Sequence, residues 1–321
     1  MPSFSKIATL VAGFAAAVSA APAAPQLTAR QTKMYEMAKR QNAGAAALGI
    51  SDVDIAQFAL TLEWLENEFY RQGFLKFGDD AFRALGLNDQ QLSDLKSIGK
   101  SEETHVVTLT SAIAAAGVQP VQPCTYNFGF TDAAGMVATA AVLESVGVSA
   151  YLGAATLIFD PKILALAGSI LTVEARHQSF IRAASGIVAS PSPFDTPLGP
   201  KAVFSLAAPF IQSCPEGSNL ILTAFPTLAL ASPQAAEVKT LVAGSMLNFQ
   251  SDAAAGATFC GFTNSGAAGG TSFTPFTAGT GCALPPNLSG LVYVSLTNAA
   301  PKTGVITDAI TMAGPTVLQL S

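Results

Sequence analysis

The only two histidines of the chain, His105 and His177, each follow a glutamate by three residues. The two segments read Glu102-Glu103-Thr104-His105 and Glu174-Ala175-Arg176-His177. A separation of three residues places two side chains on the same face of a helix. Carboxylate oxygens and imidazole nitrogens together suit iron or manganese better than zinc or calcium. The two segments therefore predict two halves of one metal site, provided that the fold brings the helices together.

The apolar residues around each segment indicate that both halves face a protein core. Glu102 and His105 lie in line with Ile98 and Leu109 on one predicted helix. Glu174 and His177 lie in line with Ile170 and Ile181 on another. A buried carboxylate without a partner costs on the order of several kcal/mol, and a cation is the simplest partner.

An internal repeat supplies two further candidate ligands. Glu63 follows Leu62 and precedes Tyr70 by seven residues, and Glu144 follows Leu143 and precedes Tyr151 by seven residues. We therefore expect Glu63 and Glu144 to complete the site, and Tyr70 and Tyr151 to hydrogen-bond its ligands from behind.

Four carboxylates and two neutral imidazoles carry a charge of −4, which two divalent ions would neutralise. In this hypothesis Glu102 and Glu174 bridge the ions, while Glu63 with His105 and Glu144 with His177 bind one ion each. Two simpler interpretations stay open. The histidines could be core residues satisfied by glutamates, and the tyrosines could only pack the core. Glu66, Glu68 and Glu103 are interpreted as lying off the site, the first two on a solvated helix face.

Four long helices have to position these residues. Capping residues and apolar periodicity predict helices of ~25 residues, each ~37 Å long. They run from Ser51 to about Lys76, from Asn88 to Gly117, from Thr131–Asp132 to before Asp160, and from Asp160-Pro161 to Gly186. The first and last connections are short, whereas Gly117 to Phe130 is long enough to cross the length of a bundle. Residues 45–190 are thus predicted to form a four-helix bundle with one long central crossover.

This arrangement resembles the ferritin-like superfamily and is similar to the secreted ferritin-like-domain proteins of fungi, which are related to plant desiccation-associated proteins. The resemblance rests on the segment from Leu62 to Tyr70, on the two Glu-x-x-His segments, and on Glu144 to Tyr151. It implies a dinuclear Fe or Mn centre that reacts with a small oxidant, O₂ or peroxide.

The chain changes character near Pro191, where Gly, Thr, Ser, Pro and Phe become frequent. Residues 197–321 are predicted to form a smaller β-rich, sandwich-like module, which makes the fold class α + β. Predicted strands are Asn219–Leu230, Leu291–Leu296 and Thr316–Leu320, with one further helix from Lys201 to Ser213.

The N-terminus resembles an export signal, in which Lys6 precedes an apolar run from Ile7 to Val18 and small residues near Ala20. Residues 1–20 are therefore predicted to be a signal peptide, and residues 21–40 a pro-segment that ends at a dibasic pair. In an exported protein the four cysteines favour two disulfides, for which three pairings are open. We expect a secreted, extracellular or cell-wall protein.

Composition narrows the function further. A net charge of −5 without a basic block disfavours nucleic-acid binding, and no segment beyond the signal has the unbroken apolar length of a membrane span. The first hypothesis is a di-metal oxidoreductase with oxidase, peroxidase or catalase-like activity in a stress response. The alternative is a non-catalytic stress or surface protein, in which the bundle is a scaffold and the module binds a cell-wall polymer or a second copy. Iron storage is disfavoured by the appended module.

Overall fold

A computed structural model describes residues 50–216, 218, 222–231, 241–265 and 268–320. The predicted signal peptide and pro-segment lie outside these residues. The helices are α1 (Asp52–Lys76), α2 (Asp79–Arg83), α3 (Asp89–Ala115), α4 (Ala133–Ala155), α5 (Pro161–Ala184) and α6 (Pro200–Ala207). The strands are β1 (Thr125–Tyr126), β2 (Ile211–Ser213), β3 (Ala229–Leu230), β4 (Met246–Leu247), β5 (Phe249–Gln250), β6 (Phe259–Thr263), β7 (Thr271–Pro275), β8 (Cys282–Ala283), β9 (Leu291–Thr297) and β10 (Thr311–Gln319).

The four long helices begin at the residues that the capping pattern predicts. The hydroxyl of Ser51 accepts a hydrogen bond from the amide of Asp54, whose carboxylate accepts one from the amide of Ser51. Asn88 and Gln91 form the same reciprocal pair at the start of α3. Such boxes satisfy amide donors that have no partner within the helix. The helix starts were therefore predictable from a few adjacent residues.

The helices form a bundle in which α1 packs against α3 and α4 against α5. The crossover between α3 and α4 runs along α1. Gln57 bonds the carbonyl of Gln119 and the amide of Val121, and the indole of Trp64 donates to the Val121 carbonyl. The predicted four-helix topology with one long central crossover is confirmed. Helix α4 is long and apolar enough to cross a membrane, but 67% of its most apolar segment is buried inside the protein.

The C-terminal region is β-rich, as predicted. Its described strands form one four-stranded antiparallel sheet in the order β10–β9–β6–β7, and the other described strands form three two-stranded ladders. The prediction of strands at 291–296 and 316–320 is confirmed, whereas residues 222–228 of the predicted strand Asn219–Leu230 are not in a strand. The predicted helix Lys201–Ser213 is wrong over its last residues, because 211–213 pair as β2 with the crossover strand β1.

Two disulfides and one tyrosine tie the regions of the fold together. Cys124 in the crossover bonds Cys214, and Cys260 in β6 bonds Cys282 in β8. Tyr293 of β9 is buried in the same apolar core as the bundle. Its hydroxyl contacts Ser149 and the carbonyl of Ser145, so the sheet packs against α4.

Candidate metal centre

The four long helices each deliver part of one buried polar cluster. Helix α1 contributes Glu63, and α4 contributes Glu144. Each of the other two helices contributes a Glu-x-x-His pair, Glu102 with His105 from α3 and Glu174 with His177 from α5. All four glutamates are 0% exposed, and both histidines are 8% exposed. The structure thus brings together all six residues that the sequence predicts as ligands.

Both imidazoles turn Nδ1 toward the carboxylates. Nδ1 of His105 lies 3.2 Å from Oε2 of Glu63 and 3.0 Å from Oε2 of Glu102. Nδ1 of His177 lies 3.1 Å from Oε2 of Glu144 and 3.0 Å from Oε1 of Glu102. The two oxygens of Glu102 therefore each face a different histidine.

The ligand atoms fall into two overlapping groups, within each of which all atoms lie within 4.8 Å of one another. One group contains Glu63 and His105, the other contains Glu144 and His177, and both contain Glu102 and Glu174. Two shared carboxylates between two terminal sets are the arrangement that a bridged pair of ions requires.

The protein itself does not satisfy this cluster. Both oxygens of Glu174 are buried and have no hydrogen-bond partner among the described residues, and Oε1 of Glu102 has only the contact with Nδ1 of His177. Buried carboxylate oxygens are normally hydrogen-bonded, and an unpaired one is costly. These poorly satisfied atoms belong to the two shared glutamates, which is where a pair of cations would take oxygen ligands.

The pKa values of the buried glutamates and histidines reflect the same excess of negative charge. Burial raises the pKa of Glu63 to about 7, and it also raises the pKa values of Glu144 and Glu174. Burial opposes ionisation of Glu102 too, but the two imidazoles lower its pKa to about 2. Burial would lower the pKa of His105, but hydrogen bonds to Glu102 and Glu63 raise it to about 10. Protons thus balance the charge when no metal is bound, and a metal would displace them.

The two predicted tyrosines bond the ligands crosswise. The hydroxyl of Tyr151 on α4 donates to Oε1 of Glu63 on α1, at 2.5 Å. The hydroxyl of Tyr70 on α1 donates to Oε1 of Glu144 on α4. Each tyrosine therefore holds the terminal carboxylate of the opposite half, and leaves the second oxygen of that carboxylate toward its histidine.

Glu66 corrects the sequence interpretation. We expected Glu66 and Glu68 on a solvated face, and Glu68 does pair with Arg71 near the surface. Glu66, however, is only 4% exposed, and burial together with the charges of Glu63 and Glu102 raises its pKa well above the ordinary value. Its position three residues after Glu63, on the same helix face, is the signal that the sequence analysis passed over.

The space that Glu66 occupies depends on Gly147. A Cβ atom at position 147 would lie 2.6 Å from Oε2 of Glu174 and 3.1 Å from Oε1 of Glu66. Glu103, by contrast, is exposed and lies off the site, as expected. The centre is therefore a cluster of five buried carboxyl groups and two imidazoles, and its donor set fits two cations.

Comparison with known proteins agrees with this fold. Residues 51–186 match the family model described as the ferritin-like domain. The chain is also similar to Protein rds1 of Schizosaccharomyces pombe, with 28% identity over 186 residues. The matched part is 57% of this chain and 46% of the relative, so the chain spans about half the length of the curated relative. Residues 51–186 are thus a ferritin-like domain whose buried carboxylate and histidine groups are compatible with a metal site.

Proposed function

We propose that the ferritin-like domain holds two Fe or Mn ions and acts as an oxidoreductase on a small oxidant, O₂ or peroxide. The unpartnered oxygens of Glu174, which with Glu102 lies between two Glu–His sets, carry this proposal. In it Glu102 and Glu174 would be shared by both ions, Glu63 and His105 would hold one ion, and Glu144 and His177 would hold the other. Fe or Mn held there would supply one-electron redox chemistry toward O₂ or peroxide.

The surrounding residues would orient the ligands and exclude water from the site. Tyr70 and Tyr151 fix the terminal carboxylates, so that one oxygen of each stays directed at a histidine. The glutamates are fully buried, which excludes bulk water and strengthens every electrostatic interaction within the site. Such hydrogen bonds orient the carboxylates before a metal binds.

The proposed location is outside the cell, in the medium or in the cell wall, and a stress response is the proposed setting. The two disulfides suggest an extracellular environment, because such bonds persist in oxidising compartments. The N-terminal run from Ile7 to Val18 supports the same proposal.

Metal analysis of natively purified protein tests this function. We expect about two Fe or Mn ions per chain, and turnover of peroxide or consumption of O₂ that disappears after chelation and returns on reconstitution. The double variant Glu144→Ala, His177→Ala should lose both metal and turnover. A protein that binds neither metal on reconstitution would overturn the proposal. Bound metal without turnover would instead favour the scaffold alternative.

A further inference from the structure

Apart from the metal centre, a polar cavity lies beside the ferritin-like helices, on the side where the sheet packs. It has a volume of about 190 Å³ and is bounded by α4, α5, the segment that follows α5, and β9. Its polar lining includes Ser149, Gln178, Ser179, Arg182, Tyr293 and one acidic residue, Asp195. No member of the metal centre lines this cavity. It is therefore a separate site.

Arg182 is the unusual residue of this cavity. Its side chain is 1% exposed, and its Nε donates to the carbonyl of Val188 at 2.7 Å. Nη2 is buried and has no partner among the described residues. Two of the five N–H donors of the guanidinium, those on Nη2, are therefore unused. Burial lowers the pKa of Arg182, while Asp195, the carboxylate on the cavity wall, is exposed.

An unpaired buried cation is costly, because desolvation is not offset by an opposite charge. The cavity is the adjacent volume in which a compensating anion fits. A guanidinium binds the oxygens of carboxylate and phosphate groups in a bidentate geometry that few other anions match. The cavity volume of about 190 Å³ is far larger than the roughly 10–15 Å³ that one ordered water needs, so the cavity can accommodate an anion of several atoms.

Hydrogen bonds hold other polar groups of the cavity wall in place. The amide of Gln178 donates to the hydroxyl of Ser145 at 2.8 Å, and the hydroxyls of Ser149 and Tyr293 lie 2.7 Å apart. The Tyr293 hydroxyl also lies 3.1 Å from the Ser145 carbonyl. Tyr293 comes from the sheet, so the C-terminal region completes a site that the bundle alone leaves open.

We propose that this cavity binds a small oxyanion, a carboxylate or phosphate group, as the partner of Arg182. The site goes beyond the di-metal function and does not depend on it. Ser145 and Gln178 directly follow Glu144 and His177 in the chain, so the anion is held by the same two helices that carry half of the metal centre.

Isothermal titration of the full chain with sodium acetate and with sodium phosphate tests this site, with sodium chloride at equal ionic strength as the reference. The titrations use both metal-loaded and chelator-treated protein, because an anion could also bind a metal. Arg182→Met removes the guanidinium that would bind the anion. Arg176→Met is the matched control, since Arg176 is exposed on the same helix and its loss changes the net charge equally.

We expect saturable binding of at least one anion, with or without metal, and a loss of about tenfold or more in Arg182→Met and in Ser179→Leu but not in the control Arg176→Met. Acetate or phosphate as the tighter ligand identifies the class. Because Arg182→Met could fail to fold, Ser179→Leu provides a second variant that fills the cavity and leaves Arg182 in place. No saturable binding by the unaltered chain, or unchanged binding in a folded Arg182→Met or Ser179→Leu variant, would overturn the proposal. Binding that needs metal would assign the anion to the metal centre instead.

Discussion

The substitution Glu174→Gln should have opposite effects on the metal-free and metal-loaded protein. Both carboxylate oxygens of Glu174 are buried without a hydrogen-bond partner among the described residues, and Oε1 lies 3.4 Å from Nδ1 of His105. Burial and the charges of Glu102, Glu66 and Glu144 raise its pKa well above the ordinary value. In the metal-free state the carboxyl group thus destabilises the fold, and glutamine keeps its shape without the charge.

The magnitudes follow from these two states. An unsatisfied buried polar group costs ~1–3 kcal/mol, and more when it is charged. We therefore expect the metal-free variant at pH 8 to be as stable as the unaltered protein or up to ~3 kcal/mol more stable, which is a rise in Tm of up to ~10 °C. Each ion present at 100 times its Kd stabilises the native protein by ~2.7 kcal/mol. The variant should lose this contribution for both ions, because Glu174 belongs to both ligand groups.

The assay combines metal content by mass spectrometry with urea unfolding, in chelator and in excess Mn²⁺. Glu103→Gln is the control, because Glu103 is exposed beside Glu102 and the substitution makes the same change of charge. It should change neither metal content nor stability. Retention of about two ions per chain by Glu174→Gln would contradict this expectation, and so would a loss of more than ~1 kcal/mol in the stability of the metal-free protein.

Three further perturbations follow from the same contacts. Tyr151→Phe removes the hydrogen bond to Glu63, so metal affinity should fall about 10–100-fold in competition with a chelator, and an unchanged affinity would contradict a positioning role. Burial raises the pKa of Glu63 from 4.5 to about 7, so its contribution to metal-free stability is present below pH 4.5 and is lost as the pH rises through 7. Mn²⁺ affinity should rise over the same range, and a pH-independent affinity would argue against proton displacement. Replacing Cys124 and Cys214 by serine opens a 90-residue loop and should lower the free energy of unfolding in urea by ~4–5 kcal/mol; a loss under ~1 kcal/mol would contradict the loop argument.

The helices and the six converging residues were predictable because both depend on local patterns. Caps such as Ser51 and Asn88 involve residues only three positions apart. The Glu-x-x-His spacing and the repeat of Glu63 as Glu144 fix which face of each helix carries a ligand. Given an antiparallel bundle, residues at matched depths in the helices meet without any further information.

The disulfide pairing and the sheet order depend on contacts between distant residues. Cys124 meets Cys214 only because the crossover and the segment after α6 pair as β1 and β2. The strand β6 pairs with both β7 and β9, although about 30 residues separate it from the second partner. No local pattern encodes such pairings, so three disulfide arrangements stayed open.

Glu66 was misread because periodicity alone does not decide between a ligand and a surface charge. Charged residues on a helix are usually solvated, and three glutamates stand close together in the segment from Glu63 to Glu68. Glu66 fits into the interior because position 147 on the neighbouring helix is a glycine, which has no side chain. That space is a tertiary property, and only a structure reveals it.

The same two positions break the symmetry of the centre. Glu63 corresponds to Glu144 in the internal repeat, so Glu66 corresponds to Gly147, each three residues further along. The first half therefore adds a carboxyl group where the second half has only backbone. Burial and the charges of Glu63 and Glu102 raise the pKa of Glu66 well above the ordinary value, so a neutral Glu66 would leave four carboxylates for the two proposed divalent ions to balance. The two halves repeat their glutamates and their tyrosines, and this one departure places an acid of raised pKa beside Glu174.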